Sequence, residues 1–363
     1  MTRRWKAGLA LACSLWTLSC SAPSDSTVTQ SQPDQLADLQ QAISDRVYGN
    51  VHSVIANIEG ERAVEWYFSG EDQRAGTPVG LVEFDSGALH DVRSLTKSVV
   101  SLLFGIALAE GAIGSVDDSV TEYLPDYSDL LTPETGRIRL RHLLSMTSGL
   151  GWDERTYPYS DPRNSETALD AAPDRIEYVL SLPVVAPPGE RFVYSSGDVE
   201  LLAQILARAT GVALDTYARE VLFDPLGIED FEWAEYQSGG AIASWGLRLR
   251  PRDMEKLGRL VLQSGLWRGQ EVVPTSWIRE LAAPTVQIDA QGRVGYGNYW
   301  WFGRLDAEGS AVDFMQAVGN GGQRIALFRD QGLLIVTTAG FYGGDDSQSD
   351  DVVRLLYRAL ISE

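Results

Sequence analysis

Residues 94–111, SLTKSVVSLLFGIALAEG, are apolar on nearly every side of a helical projection. A helix without a polar face belongs in an interior, so this stretch predicts a buried helix that stops at Gly111. Upstream, Leu36, Leu39 and Ile43 recur at helical spacing in DQLADLQQAISDRV. VHSVIANIEGERAVEWYFSG (51–70) alternates around Gly60 and predicts two antiparallel strands joined by a tight turn.

Beyond Gly111, residues 112–190 hold short helical runs and loops rich in Pro, Gly and Asp. Three helices follow. VELLAQILARATG is ended by Gly211, LDTYAREVLFDPLGI is stopped before Pro225, and RDMEKLGRLVLQSG is the third. AVDFMQAV, QRIALFRD and GLLIVTTAG then predict strands, and DDVVRLLYRALISE a final helix. Strands at both ends of the chain have to meet in one sheet. The expectation is an α+β domain: an antiparallel sheet flanked by helices, with a mostly helical insertion in the middle. No internal repeat is visible.

Composition fits that picture. The chain has 363 residues, 44% hydrophobic and 22% charged, which allows one large globular domain or two. Acidic residues outnumber basic ones 50 to 30, for a net charge of −20. No nucleic acid partner is expected, because phosphate binding needs a basic face.

Both cysteines, Cys13 and Cys20, lie in MTRRWKAGLALACSLWTLSC. Arg3, Arg4 and Lys6, an apolar stretch and then small residues read as a signal peptide over 1–20. The stretch is too short for a spanning helix, which needs roughly 20 apolar residues. TLSCSAPSDS resembles a bacterial lipoprotein cleavage site, although Thr17 stands where Leu is usual. Lipidation of Cys20, with membrane attachment, and a plain secretory cut near Ala22 both stay open. Either way the chain is expected to be exported to the periplasm or cell envelope. Residues 21–35 are polar and Ser/Pro-rich, a tether, and 36–363 form the folded domain, without a disulfide.

The chemistry begins with Ser94 and Lys97. Three apart on a helix, they share a face. A serine hydroxyl attacks well only when a base takes its proton, and burial is expected to lower the lysine toward neutrality so that it can be that base. The motif alone is weak: Ser94 as a helix cap and Lys97 snorkelling to the surface explain it as well. Tyr194, in PPGERFVYSSGD, sits in a turn before an apolar helix and can shuttle protons beside a lysine. Gly319, Gly321 and Gly322, in AVGNGGQRIAL, allow close backbone approach and free N–H groups at a strand entry. His52, His90 and His142 are the three histidines, and no Gly-x-Ser-x-Gly elbow is present. His142, at helical spacing, is expected to pack. No metal, P-loop or dinucleotide signature appears, so no cofactor is expected.

Taken in order, RSLTKSVVSLLFGIALAEG, IRLRHLLSMTSGLGWDE, PPGERFVYSSGDVELLAQILARATG, FDPLGI, GLRLRPRDMEKLGRLVL and AVGNGGQRIAL resemble the serine beta-lactamase-like superfamily over roughly residues 45–360. That superfamily includes class C beta-lactamases, D,D-peptidases, family VIII esterases and 6-aminohexanoate-dimer hydrolases. SLTKS, WDE, YSSGD and GNGGQ most resemble the last branch. The resemblance implies a beta-lactamase/transpeptidase-like fold, Ser94 as acylated nucleophile, Lys97 as general base and Tyr194 as proton relay. It implies an oxyanion hole from the Ser94 N–H and one N–H of the GNGGQ strand, with Asn320 the expected second donor beside Gly319 and Gly321. Trp152, Asp153, Tyr157 and Tyr159, in GLGWDERTYPYSDP, are expected along the substrate cleft. Two departures bear on substrate. VGNGG lacks the cation of the beta-lactamase third motif, and Ser196 replaces the Asn common in class C enzymes. Both favour an ester or amide over a beta-lactam. Arg324 is expected as a solvated strand arginine and Glu166 as an exposed loop acid.

The reading is an exported serine hydrolase acting on a small-molecule ester, amide or peptide-like substrate. Its rivals are a D,D-peptidase or beta-lactamase, and a non-catalytic lipid-anchored binding protein of the same fold.

Overall fold

The structure is a computed structural model that describes residues 32–307 and 310–361. The expected signal peptide, Cys20 and most of the tether lie outside the described residues. Eight strands build the main sheet: β1 (Val51–Ile58), β2 (Glu61–Tyr67), β3 (Val286–Gln287), β4 (Gly295–Gly297), β5 (Trp300–Ala307), β6 (Ser310–Gly319), β7 (Gln323–Phe328) and β8 (Leu333–Ala339). Their order is β3-β4-β5-β6-β7-β8-β1-β2, and every neighbouring pair is antiparallel. The N-terminal hairpin therefore completes a sheet begun by the C-terminal strands, with Ile55 opposite Val336.

Five longer helices cover that sheet: α1 (Gln32–Ser44), α2 (Leu95–Ala109), α3 (Ser196–Thr210), α4 (Pro251–Leu262) and α5 (Ser347–Ile361). Strand alternation sorts the core into two layers. Val54, Ala56, Leu333 and Ile335 pack with Leu39 and Ile43 of α1 and with Leu356 of α5. Ile55, Ile325, Leu334 and Val336 face the larger layer, with α2, α3, α4 and the central insertion. Covered on both faces, β7 and β8 are buried at every position, which is why they read as the short apolar runs IALF and LLIV with few polar residues. Gly258 lets α4 lie close on the sheet, because a Cβ there would stand 2.5 Å from Leu334.

The apolar helix α2 behaves as its pattern demands: every residue from Leu95 to Ala107 is buried. Three expectations change. The helix at LDTYAREVLFDPLGI does not stop before Pro225. An α-turn (Leu214–Ala218), a π-turn (Arg219–Phe223) and a last turn (Asp224–Leu226) run through it to Gly227, at φ +64°. The wide turn ahead of the ring relieves its clash with the preceding turn, and proline's missing N–H falls where a new turn opens. The first helix begins at Gln32, inside the expected tether, with Pro33 in its first turn. Strands β4 and β5 escaped notice because GYGNYWWF shows no polar alternation, and β3 is only two residues long. Also unforeseen were a hairpin of Ser69–Arg74 with Thr77–Glu83 and a small sheet of His90–Asp91, Leu247–Leu249 and Glu232–Trp233.

Candidate active site

The chain enters α2 by a sharp bend. Arg93 holds φ +52°, a left-handed conformation rare for a long side chain, and Ser94 follows at the N-cap. One turn on, Lys97 is 1% exposed, which rules out the snorkelling alternative. Its Nζ lies 3.1 Å from Ser94 Oγ and donates to the Ser244 carbonyl at 2.7 Å. The same nitrogen is 5.1 Å from the centre of the Tyr194 ring. Residues far apart in sequence thus meet at one nitrogen.

The electrostatics depart from expectation. Burial does pull the Lys97 ammonium down, but the Tyr194 oxygen and the carboxyls of Glu166 and Glu154 push it up by more, and its pKa lies above the ordinary value. Lys97 is not a lysine neutralised by an apolar wall; it is one member of a buried polar cluster.

Tyr194 precedes α3, whose N-cap Ser195 accepts from the Asp198 N–H at 3.0 Å. The Val193 N–H donates to the Met146 carbonyl at 2.9 Å and ties this turn to the preceding loop. The Tyr194 ring stacks on Trp301 at 5.9 Å and meets Tyr296 edge-on at 6.3 Å, and the Arg155 guanidinium lies 4.7 Å from its centre. Trp301 and Tyr296 come from the strands that the sequence pattern did not reveal.

Four acids behind the triad were also missed: Glu154, Glu166, Asp198 and Glu200, all buried. Glu166, expected to be an exposed loop acid, is 8% exposed, and burial together with Glu154 pushes its pKa up to about 8. Burial likewise raises Asp198 to about 7, against hydrogen bonds from Ser148 and Ser195. Glu200 is raised by burial, opposed by Arg175 and Ser244, whose N–H donates to it at 2.8 Å. The Asn164 side chain accepts from the Glu166 N–H at 2.9 Å, and this cap on a seven-residue helix (Ser165–Ala171) turns Glu166 inward. An Asn-Ser-Glu helix start was the available signal.

The loop candidates separate. Trp152 is not an open cleft wall: it is 6% exposed, donates to Glu154 at 2.8 Å and packs on Gly197, where a Cβ would stand 2.6 Å from the ring. Asp153 accepts the N–H groups of Arg155 and Thr156 and so shapes the loop. Tyr157 lies under the Arg163 guanidinium, and its carbonyl accepts from the Asn164 side chain at 2.8 Å, so it shapes the loop. Tyr159 is 55% exposed, yet its phenol feels Glu154, Glu166 and Tyr194, so it stands beside the site.

The hairpin tip between β6 and β7 closes the other side. Gly319 is required there, since a Cβ would stand 2.0 Å from the Val92 carbonyl, two residues before Ser94. Gly321 and Gly322 follow at φ +93° and +94°. Asn320 is exposed, and its side-chain oxygen accepts from the Gly343 N–H at 3.1 Å. Arg324 is not solvated. It is 3% exposed, paired with Asp350 at 2.9 Å and Asp346 at 3.3 Å, and donates to the Gly319 carbonyl at 3.2 Å. It fastens α5 to the hairpin and offers nothing to a ligand. His142 accepts from the Arg139 N–H at 3.0 Å, and the buried His52 and His90 flank Phe84, all outside the triad. Among the described residues no group of three His, Cys, Asp or Glu is arranged to hold a metal.

An antiparallel sheet closed by its two chain ends, with a helical region inserted between them, is the beta-lactamase/transpeptidase-like fold. The chain belongs to the beta-lactamase family: residues 40–359 match the model described as Beta-lactamase. A 6-aminohexanoate-dimer hydrolase from Paenarthrobacter ureafaciens is 28% identical over 210 residues, 53% of this chain and 50% of that protein. Monacolin J acid methylbutanoyltransferase from Aspergillus terreus is 28% identical over 164 residues, 41% of this chain and 39% of its own. The chain thus matches half or less of these relatives' length. Among solved structures, simvastatin synthase from Aspergillus terreus superposes with a TM-score of 0.68 at 16% identity, covering 92% of this chain and 98% of that one.

Proposed function

We propose that the protein is an exported hydrolase that cleaves an ester or amide through an acyl-enzyme on Ser94. The observation that carries this is the 3.1 Å contact between the buried Lys97 amine and the Ser94 hydroxyl, with Tyr194 against the same amine. Because Lys97 is held above its ordinary pKa, it acts together with Tyr194: the phenol oxygen accepts the proton, and the Lys97 ammonium beside it carries the balancing charge. The pair takes the hydroxyl proton as Ser94 Oγ bonds to the carbonyl carbon. The N–H of Ser94 and one N–H from residues 319–322 hold the oxyanion. As the bond to the leaving group breaks, Tyr194 returns the proton to it. Water repeats the sequence on the Ser94 ester and releases the acid.

Substrate choice follows from the walls. The β6–β7 hairpin presents no cation, because Arg324 is engaged, so nothing there fixes a substrate carboxylate. The relatives named for amide hydrolysis and acyl transfer support an ester or amide over a beta-lactam. A panel of p-nitrophenyl esters, aminocaproyl amides, D-Ala-D-Ala peptides and a chromogenic cephalosporin tests this. Wild type turns over esters or amides fastest and Ser94→Ala turns over none; an active Ser94→Ala protein refutes the assignment.

A further inference from the structure

Away from the active site, the end of α4 and a short hairpin enclose a recess of about 380 Å³ lined by Arg259, Gln263, Trp267, Arg268 and Gly269. We infer that this recess is a binding site for a small phosphate-bearing anion.

Every charged group that lines it is a guanidinium. The chain carries 50 acidic residues against 30 basic ones, so an arginine here ordinarily finds a carboxylate. Arg250, Arg252 and Arg248, close by in sequence, each do. Arg259 and Arg268 do not: among the described residues neither forms an ion pair. The nearest acid along the hairpin, Glu271, is occupied as the acceptor of the Thr275 N–H at 2.8 Å.

Two buried N–H groups of these lining residues also lack acceptors. Trp267 is 9% exposed and its indole Nε1 has no hydrogen-bond partner; the same holds for Arg259 Nε, whose guanidinium lies 5.5 Å from the Trp267 ring centre. Buried donors are rarely left unpaired. The two guanidinium forks and the Gln263 amide line the recess as a set dominated by donors, which suits an oxyanion and repels a cation.

The backbone aims one of those forks deliberately. Leu266–Trp267 pairs with Gln270–Glu271, and the two-residue link Arg268–Gly269 holds φ +50° and +82°. Such a link favours Asn, Asp or Gly at its first position. Arginine there breaks a local rule, as residues kept for a ligand do. The C-terminal end of a helix disfavours anions, but here most of its last carbonyls are already bonded. Those of Arg259, Leu260, Val261 and Gln263 accept from Gln263, Gly265, Ser264 and Leu266. Two planar forks with an aromatic floor match a tetrahedral phosphate better than a lone lysine would.

Calorimetric titration of the purified protein with inorganic phosphate, at ionic strength held constant with chloride, tests the assignment. Saturable binding is expected, with sulfate competing and phosphate raising the melting temperature. Arg259→Met with Arg268→Met should weaken it about ten-fold or more, while Arg268→Met alone, on an exposed turn, keeps the melting temperature and still weakens binding. Glycerol phosphate and phosphatidylglycerol vesicles separate the sources. Saturation by the first assigns a soluble phosphate ester; co-sedimentation with the second, lost in the double variant, assigns a lipid headgroup. Absence of saturation by any of these probes, or equal affinity in the double variant, overturns the site.

Discussion

Glu166 and His52 show how single burials set the protein's response to pH. Glu166 ordinarily titrates at 4.5 and is pushed up to about 8 in the fold by burial and by Glu154. The folded state then holds a proton that the unfolded chain gives up. Its contribution is fully present below pH 4.5 and is lost as pH rises through about 8. His52 has the opposite sense. Burial lowers it from 6.5 to about 4, so stability is complete above pH 6.5 and falls as pH drops through about 4. Thermal melts across this range should show a maximum between the two losses, and Glu166→Gln should flatten the alkaline side without changing the acid side. An unchanged alkaline slope in that variant would mean that Glu166 is ionised in the fold. Ser94, Lys97 and Tyr194 were legible because their spacing and order are matched in a known superfamily. The acids were not: burial depends on what the fold places over a residue, and SETALD carries no trace of Lys97. The expected neutral lysine failed for that reason, since the charges that hold it up come from other segments.

At the scale of elements, helices and strands whose pattern served one purpose were readable. α2, most of β8 and the IALF half of β7 are apolar because they are covered all round, and the chain shows it. Elements that combine packing with a site were not. Strands β4 and β5 supply Tyr296 and Trp301 to the wall around Tyr194, and their aromatic run hides a strand's alternation. Arg324 belongs here too. It spans α5 and the β6–β7 hairpin, holding Asp346, Asp350 and the Gly319 carbonyl together. Arg324→Met leaves that carbonyl without its donor, which costs about 1–3 kcal/mol for a buried polar group. The hairpin that carries the expected oxyanion donor loses its anchor at the same time. Denaturant titration should show the lost stability, and kcat should fall more than KM rises. A variant with full kcat and only lower stability would confine Arg324 to holding α5.

The whole molecule is one cooperative object because its ends share a sheet. β1 lies between β8 and β2, and α1 and α5 pack together over that layer. Val54, Leu333 and Leu356 are fully buried there, and removing α5 takes Leu356 away and strips cover from the sheet residues it packs on. A chain ending at residue 346 should therefore fail to fold, judged by circular dichroism and gel filtration, although every active-site residue remains present. A folded, active truncated chain would show that the larger layer stands alone.

The central claim is that Ser94 is made nucleophilic by the Lys97–Tyr194 pair. Mass spectrometry of the protein after reaction with a fluorophosphonate tests it most directly. One adduct is expected, on the fragment that contains Ser94, forming at least about 10²-fold more slowly in Lys97→Met. An adduct on another residue, or an undiminished rate in that variant, would contradict the account.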